Sequence, residues 1–412
     1  MKALISITAL LVFTLLGCKQ SRPLSHEELL KKAKVLHSKM VTIDTHTDTP
    51  LAFLRPGFDF GGNGNAKSSK VNLQKMEQGG LDAAFFAVFI SQDELTPEKY
   101  THANAYALQI FDAVHKEVSR HSNRSEIALL ASDAAKIKGE NKRAIYIGVE
   151  NGYPIGNNLS LIEKYFNNGA RYLTLCHTRN NQICDSSTDP EGYIHNGLSQ
   201  FGFEVVKELN RLGMLIDVSH ISDKAVTDCI AASAVPVFAS HSNVRSLRDI
   251  PRNLSDTLIK AIAKSGGVIQ LCLLSDYIKT PTPYPTRDSA RQVLRVKYRN
   301  YQNLPPEVRQ EALNAWYELD EKFPPVLATV SDAVDHIDHM VKITGINHVG
   351  IGSDFDGGGG ISGCIDASEM TNITVELLKR GYSDDDIAKI WGLNFLKVLT
   401  KAEEYAAKMK AN

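Results

Sequence analysis

The sequence predicts a (β/α)8 barrel, an α/β fold in which eight parallel strands are each followed by a helix. Eight short apolar stretches alternate along the chain with segments of helical spacing, which is the pattern of repeated strand–helix units. The apolar stretches are nearly continuous, as expected for parallel strands that are covered on both faces. At 412 residues the chain is long for a single core, but it is an ordinary length for such a barrel with insertions.

The first predicted strand begins with β-branched residues and turns polar at its end. Because successive side chains of a strand alternate between faces, His46 and Asp48 point the same way. The eight predicted strands are residues 41–48, 81–90, 143–150, 170–177, 213–220, 235–241, 266–273 and 348–356. Helices are predicted at residues 26–39, 97–121, 159–168, 200–211, 222–232, 255–265, 326–344 and 383–402.

One segment, residues 276–325, breaks this alternation within a predicted domain of residues 26–405. It is polar and proline-rich at its start, and a helical run from Arg287 to Lys322 follows. It comes after the seventh strand, on the face where such barrels place their active sites. A solvated helical excursion, a lid and a subunit contact are all open interpretations of this insertion.

Six of the predicted strands end in a histidine, aspartate or glutamate. Any one of these residues alone would be interpreted as an ordinary loop or core residue. Together they are expected at the carboxyl ends of parallel strands, which meet at one face of a barrel. The residues are His46, Asp48, Glu150, His177, His220, His241 and Asp354.

This donor set predicts a centre for two divalent metal ions. A catalytic ion takes about three protein ligands and keeps a position open, and a shared carboxylate holds two ions about 3.5–4 Å apart. Glu150, the one glutamate among the strand ends, is the natural bridge. His46 and Asp48 would complete the first ion's ligands. His220 and His241 would complete those of the second. A water between two such ions becomes a hydroxide nucleophile near neutral pH. Imidazole and carboxylate ligands favour zinc and leave manganese and cobalt open.

The first residues predict export and lipidation. Lys2 is followed by an apolar run over residues 3–16, about 14 residues, which is too short to span a bilayer and suits a signal-peptide core. The run ends in Leu15-Leu16-Gly17-Cys18, which resembles the bacterial lipobox. We therefore expect a signal peptide over residues 1–17, lipid on Cys18, a tether over residues 18–25 and a membrane-anchored location in the bacterial cell envelope. A plain signal peptide with an incidental cysteine is the alternative.

The net charge and the cysteines indicate which partners and which cross-links to expect. The formal net charge is −1 and no basic stripe dominates, so nucleic acid is not an expected partner. Five cysteines follow Cys18, an odd number without a Cys-x-x-Cys pair, which favours buried thiols over a disulfide framework. A Cys176–Cys184 disulfide stays open.

Short motifs surround the strand-end residues in a fixed order from about residue 41 to 400. They include Asp44-Thr-His46-Thr-Asp48, Gly148-Val-Glu150-Asn-Gly, Arg171-Tyr-Leu-Thr-Leu-Cys-His177, Leu215-Ile-Asp-Val-Ser-His220, Ser240-His241-Ser, Arg252-Asn and Val349-Gly-Ile-Gly-Ser-Asp354-Phe-Asp-Gly. In these motifs the chain resembles the membrane dipeptidases (the renal dipeptidase family), which are amidohydrolase-like zinc peptidases.

The resemblance implies a dipeptidase with two zinc ions, acting on dipeptides that include, in some members, those with a C-terminal D-residue, or on β-lactams. It implies the metal ligands already named. It further implies that His177 contacts the scissile carbonyl oxygen, Arg252 pairs with the substrate carboxylate and Asp354 relays a proton to the leaving amine. Tyr153 departs from the small residues or histidine frequent at its position and leaves side-chain specificity open.

Two alternative functions stay open beside this interpretation. One is a related amidohydrolase acting on N-acyl amino acids or another amide with a carboxylate. The other is a lipoprotein that binds peptides without cleaving them. A homodimer is also left open.

Overall fold

The computed structural model of the chain describes residues 24–62, 69–298 and 306–411. The predicted signal peptide, Cys18 and most of the tether lie outside the described residues. Within the described ranges, no helix has the length and apolar character needed to cross a membrane.

The strands are β1 (Ile43–Thr47), β2 (Ala83–Phe89), β3 (Ser125–Ile127), β4 (Arg143–Glu150), β5 (Ala170–Thr174), β6 (Leu215–Asp217), β7 (Phe238–Ser242), β8 (Val268–Leu271) and β9 (Val349–Ile351). The helices are α1 (His26–Lys39), α2 (Pro50–Phe53), α3 (Leu73–Gly79), α4 (Pro97–Arg120), α5 (Asp133–Gly139), α6 (Ser160–Asn167), α7 (Gln200–Leu212), α8 (Asp223–Ala232), α9 (Asp256–Lys264), α10 (Ser275–Ile278), α11 (Pro285–Lys297), α12 (Pro306–Lys322), α13 (Val330–Thr344), α14 (Thr371–Lys379), α15 (Asp384–Ala388) and α16 (Asn394–Ala411). A π-helical stretch, Lys389–Leu393, joins the last two helices.

Eight of the strands form a nearly closed parallel barrel in the order β1-β2-β4-β5-β6-β7-β8-β9. The seam lies between β1 and the residues after β9, where the Asp354 N–H donates to the His46 carbonyl at 3.0 Å and the Asp48 N–H donates to the Phe355 carbonyl at 2.8 Å. The predicted (β/α)8 architecture is confirmed. The seam also holds the first two predicted ligands against the last strand.

The strand β3, which pairs with β4 outside the barrel path, was not predicted from the sequence. Three residues are too few to show a periodicity. The predicted helical run from Arg287 to Lys322 is two helices, α11 and α12, and Pro306 starts the second, as proline at a first helical position often does. The boundaries of the predicted domain and insertion stay a prediction.

An aromatic layer inside the barrel supports the site from below. The Phe85 ring stacks on Tyr146 at 4.7 Å and on Tyr172 at 5.3 Å, and all three side chains are fully buried. Burial of an aromatic side chain of this size stabilises the fold by about 1.5–3 kcal/mol. Gly148 makes room for this layer, since a Cβ there would lie 2.0 Å from the Tyr172 ring.

Serine side chains start the helices that follow β5, β6 and β7. Ser199 accepts from the Gly202 N–H at 2.9 Å, and Ser222 and Ser255 cap α8 and α9 in the same way. Such caps satisfy N–H groups that a helix leaves unpaired at its start. The five cysteines within the described ranges are free and buried, so the preference for buried thiols is confirmed and the Cys176–Cys184 disulfide is wrong.

Candidate metal centre

The predicted ligands all lie at the carboxyl end of the barrel, some on strands and some beyond them. His46 and His241 are on β1 and β7, and Glu150 ends β4. His177, His220 and Asp354 follow the ends of β5, β6 and β9, which are shorter than predicted. His220 and Asp354 have φ of 70° and 60°. A left-handed backbone at a residue other than glycine costs on the order of 1–3 kcal/mol, and such strain is concentrated at functional sites.

Two buried aspartates hold neighbouring strand ends together in the same way. Asp44 accepts from the His46 N–H at 3.2 Å and from the Ser353 N–H at 2.7 Å, which joins β1 to the end of β9. Burial raises the pKa of Asp44 to about 6.

Asp217 makes the equivalent contacts between β6 and β7. It accepts from the Ser219 N–H at 3.0 Å and from the Ser240 N–H at 2.8 Å. Neither aspartate was given a role from the sequence, although each lies two or three residues before a predicted ligand, His46 or His220.

The Glu150 carboxylate lies between two sets of imidazoles. Its Oε1 is 3.1 Å from His220 Nε2, 3.5 Å from His241 Nε2 and 3.8 Å from His177 Nε2. Its Oε2 is 3.4 Å from His46 Nε2. Because its two oxygens face different histidines, Glu150 has the position expected of a bridging ligand.

All seven predicted strand-end residues come together in three overlapping groups. In each group one ligand atom per residue lies within 4.8 Å of the others. The groups are His46–Asp48–Asp354, His46–Glu150–His241 and Glu150–His177–His220. His241 links the groups, because its ring stacks on His46 at 3.8 Å while its Nε2 is 2.8 Å from His220 Nε2.

Burial favours the neutral form of three imidazoles, those of His177, His220 and His241, and makes the Glu150 and Asp354 carboxylates hard to ionise without a cation. Burial, with the charge of Arg252, lowers the pKa of His177 to about 3 and that of His220 well below its usual value. Burial raises the pKa of Glu150 to about 8 and that of Asp354 to about 7. Neutral imidazole and ionised carboxylate are the metal-binding forms, and a divalent cation would supply the missing positive charge.

The hydrogen bonds made by the histidines of the centre are also those expected of metal ligands. His46 Nδ1 is 2.9 Å from the Tyr172 hydroxyl and His241 Nδ1 is 2.7 Å from the Ser240 hydroxyl, so the protein fixes these rings and leaves Nε2 facing the centre. Among the described residues, no hydrogen-bond partner exists for four buried atoms of the centre: His46 Nε2, Asp48 Oδ1, Glu150 Oε2 and His220 Nδ1. A buried polar atom without a partner costs about 1–3 kcal/mol, and a metal ion would satisfy the atoms that face it.

Arg252 lies beside the centre and is 4% exposed. Its guanidinium donates to the Ser242 hydroxyl at 3.0 Å and to the His241 carbonyl at 2.7 Å, and it lies 5.3 Å from the centre of the Tyr277 ring. The arginine is therefore held in place next to a predicted metal ligand.

Two further residues, Gly357 and Tyr153, are closely packed. A Cβ at Gly357 would lie 2.0 Å from Asp48 Oδ2 and 2.3 Å from Asp354 Oδ1, so only glycine fits against these carboxylates. Tyr153 is fully buried, and its hydroxyl donates to the Glu94 carbonyl at 2.7 Å.

The comparisons with known proteins agree with one another. The model of the family described as membrane dipeptidase (peptidase family M19) matches residues 30–412. Dipeptidase verJ of Clonostachys rogersoniana is 31% identical over 396 residues, which are 93% of this chain and 90% of that protein.

Solved structures show the same fold. The crystal structure of the probable dipeptidase PvdM from Pseudomonas aeruginosa is 34% identical with a TM-score of 0.79, over 92% of this chain and 100% of that one. A metallo peptidase from Rhodobacter sphaeroides, solved with a phosphinate mimic of the dipeptide L-Ala-D-Ala, is 19% identical with a TM-score of 0.70, over 88% and 99% of the two chains, and shows the fold alone. These matches agree with the group of potential metal ligands at the carboxyl end of the barrel. The chain therefore belongs to the membrane dipeptidase family, peptidase family M19, and is a metal-dependent dipeptidase.

Proposed function

We propose that the chain is a two-zinc dipeptidase, lipid-anchored in a bacterial cell envelope, which cleaves dipeptides with a free C-terminal carboxylate, including those with a C-terminal D-residue. The observation that carries the proposal is the Glu150 carboxylate between His46 and three further imidazoles, with the Arg252 guanidinium beside them.

His46, Asp48 and Glu150 would hold one zinc ion, and Glu150, His220 and His241 the other. Neutral imidazoles with carboxylates suit zinc, and the two differently placed oxygens of Glu150 support two ions rather than one. When bound, the ions would polarise the scissile carbonyl and make a water nucleophilic near neutral pH.

His177 is the candidate for stabilising charge on the substrate carbonyl oxygen. Its side chain is 24% exposed, against 5% for His220 and 1% for His241, so it faces the cleft more than the other imidazoles do. The Phe89 ring meets it edge-on at 4.9 Å, which fixes its orientation. A neutral imidazole with an N–H directed at the developing oxyanion stabilises that charge.

Arg252 is the candidate for binding the substrate carboxylate. Its bonds to Ser242 and to the His241 carbonyl fix the guanidinium before substrate arrives, and a guanidinium can bind a carboxylate through two parallel hydrogen bonds. This residue distinguishes a dipeptidase from an enzyme for amides without a carboxylate. It does not separate dipeptides from N-acyl amino acids.

Asp354 is the candidate for the proton relay to the leaving amine. Its carboxylate lies in one group with His46 and Asp48, so it is beside the ligands proposed for the first ion. A positioned carboxyl group of this kind contributes general acid–base catalysis.

The activity is tested by metal analysis of the purified protein together with a panel of L,L-dipeptides, L,D-dipeptides, N-acyl amino acids and dipeptide C-terminal amides. We expect at least two zinc ions per chain, two of them held by the barrel centre, release of amino acids from both dipeptide series, and little cleavage of the amides. Turnover confined to N-acyl amino acids would favour the related amidohydrolase. Absence of all turnover by metal-loaded protein would favour a peptide-binding lipoprotein.

The anchor is tested separately, because it rests on the lipobox-like residues 15–18 alone. Growing cells fed a fatty-acid analogue should label the parent protein and not Cys18→Ser. Cys229→Ser, which changes a buried cysteine, is the matched control and should label like the parent. Equal labelling of parent and Cys18→Ser would contradict lipidation at this residue.

A further inference from the structure

A second group of metal-type ligands lies away from the barrel's metal centre, where the last turn of α4 meets the segment after α2. One ligand atom each from Asp59, Glu117 and His121 lies within 4.8 Å of the others. Because α4 starts beyond the carboxyl end of β2 and ends just before β3, this group is at the far end of the helix from the metal centre. The two groups share no residue.

The imidazole and one carboxylate of this group are already in contact. His121 Nε2 is 2.9 Å from Asp59 Oδ1, and the Gly61 N–H donates to the same oxygen at 2.9 Å. A Cβ at Gly61 would lie 2.7 Å from His121 Cε1, so the approach of the chain to the ring requires glycine.

Glu117 provides the independent sign of a ligand. The residue is 6% exposed, and its Oε1 accepts from Arg120 at 2.9 Å. Its Oε2 is buried and has no hydrogen-bond partner anywhere in residues 24–62, 69–298 and 306–411. The Arg120 side chain is 57% exposed, so solvent screens much of its charge. A buried carboxylate oxygen in this state favours a cation, and so does the negative end of a helix dipole.

We propose that Asp59, Glu117 and His121 bind a divalent ion of the zinc or manganese type. One imidazole and two carboxylates are suitable first-row metal ligands, and three protein ligands leave positions for water. Side-chain exposures of 26% for Asp59 and 15% for His121 give that water access. The ion would tie the chain that leaves β1 through α2 to the end of α4, so its effect is on stability and not on turnover.

The test is a titration of metal-free full-length protein with Zn²⁺ and, separately, Mn²⁺, read as ions bound per chain and as melting temperature. The variants are Glu117→Gln, which keeps the shape, and His121→Ala. His102→Ala removes an exposed histidine from the same helix and is the matched control. We expect parent and His102→Ala to bind one more ion per chain than the other two variants, with kcat/KM unchanged in all of them. Filling the barrel centre should raise the melting temperature of all four proteins, and the additional ion should raise it further only in parent and His102→Ala.

Equal stoichiometry and equal thermal response in all four proteins would overturn the proposal. Metal-free Glu117→Gln should melt close to metal-free parent, because the amide keeps the size of the side chain and an oxygen that can accept from Arg120, and this separates loss of the ion from loss of the fold. His220→Ala distinguishes the two sites, since it should lose an ion from the barrel and keep the ion at Glu117. Failure of the barrel centre would therefore appear in His220→Ala and leave the result for Glu117→Gln unchanged.

Discussion

The two ends of the barrel bury histidines to similar depth but pair them differently. At the amino end, before the strands begin, His37 is 3% exposed and uses both ring nitrogens, with Gly80 O at 3.1 Å and Thr374 Oγ1 at 2.7 Å. At the carboxyl end, His46 and His220 are 0% and 5% exposed, and each has one ring nitrogen that no described residue bonds. Burial therefore does not mark the functional end. The buried imidazole nitrogens without a partner do, since those found among the described residues lie at this end and a folded protein rarely leaves buried polar groups unsatisfied without a ligand.

The backbone shows the same contrast. Six non-glycine residues with positive φ occur in the part of the chain that the structure describes, and four of them follow barrel strands at the carboxyl end: Asn151, His220, Asp354 and Asp356. Strain persists where the surrounding structure fixes it, and here it accompanies the ligands. The carboxyl end is thus organised for binding and the amino end for stability.

The largest expected effect comes from removing the ligand that both ions would share. Glu150→Gln keeps the shape but lowers the negative charge between His46 and His220, so we expect both ions and all measurable turnover to be lost. His220→Ala should lose about one ion per chain together with activity. Elemental analysis beside steady-state kinetics measures both quantities, and His37→Gln, at the opposite end, should keep its metal. Full metal content in Glu150→Gln would mean that the carboxylate does not bridge.

Asp354→Asn should fail in a different way. The amide keeps the size of the side chain but cannot pass a proton to the leaving amine, so kcat should fall by about 10²–10⁴-fold while both ions stay bound. The measurement is kcat at saturating dipeptide, normalised to metal content. If the variant loses metal and keeps its turnover per remaining metal, Asp354 is a ligand, as its place beside His46 and Asp48 would also allow.

Arg252→Ala is expected to have a smaller effect, limited to substrates with a free carboxylate. A hydrogen bond to a charged group is worth about 1.5–3 kcal/mol, so kcat/KM for such dipeptides should fall by roughly 10- to 150-fold. Dipeptide amides, tested as controls, should change little. An unchanged kcat/KM on a free-carboxylate dipeptide would remove Arg252 from the site.

The sequence alone predicted those features of the fold and of the metal centre that repeat along the chain. The strand–helix alternation predicted the barrel, and the polar strand ends predicted which side chains would meet around Glu150. Both signals depend on local order, since a parallel barrel places every carboxyl end at one face.

The rest depends on contacts between distant residues. The pairing of Asp44 with Ser353 joins positions 309 residues apart, and the grouping of Asp59 with Glu117 and His121 needs the packing of a loop on a helix. No spacing in the sequence shows either contact. The left-handed backbone at His220 and Asp354, three residues beyond the ends of β6 and β9, is likewise a property of the closed barrel.

The smallest effect on catalysis, and the clearest test of the amino end, comes from His37. Burial lowers its pKa to about 4, from about 6.5 in an unfolded chain. Because the folded-state pKa is depressed, the unfolded chain takes up the proton first. The stability that neutral His37 provides is present above about pH 6.5 and is lost progressively as the pH falls toward about 4, by an amount on the order of 3 kcal/mol. His37→Gln does not titrate, so its free energy of unfolding should fall less than that of the parent over this window.

Acid also releases metal from the carboxyl end, but it does so in both proteins, and the difference between their unfolding curves isolates His37. At pH 7 the variant should keep its metal and its kcat/KM, although it loses packing of the His37 ring against Trp391, 4.9 Å away. Parallel pH dependence in the two proteins would show that His37 is not buried neutral, and the contrast between the two ends would then rest on the metal centre alone.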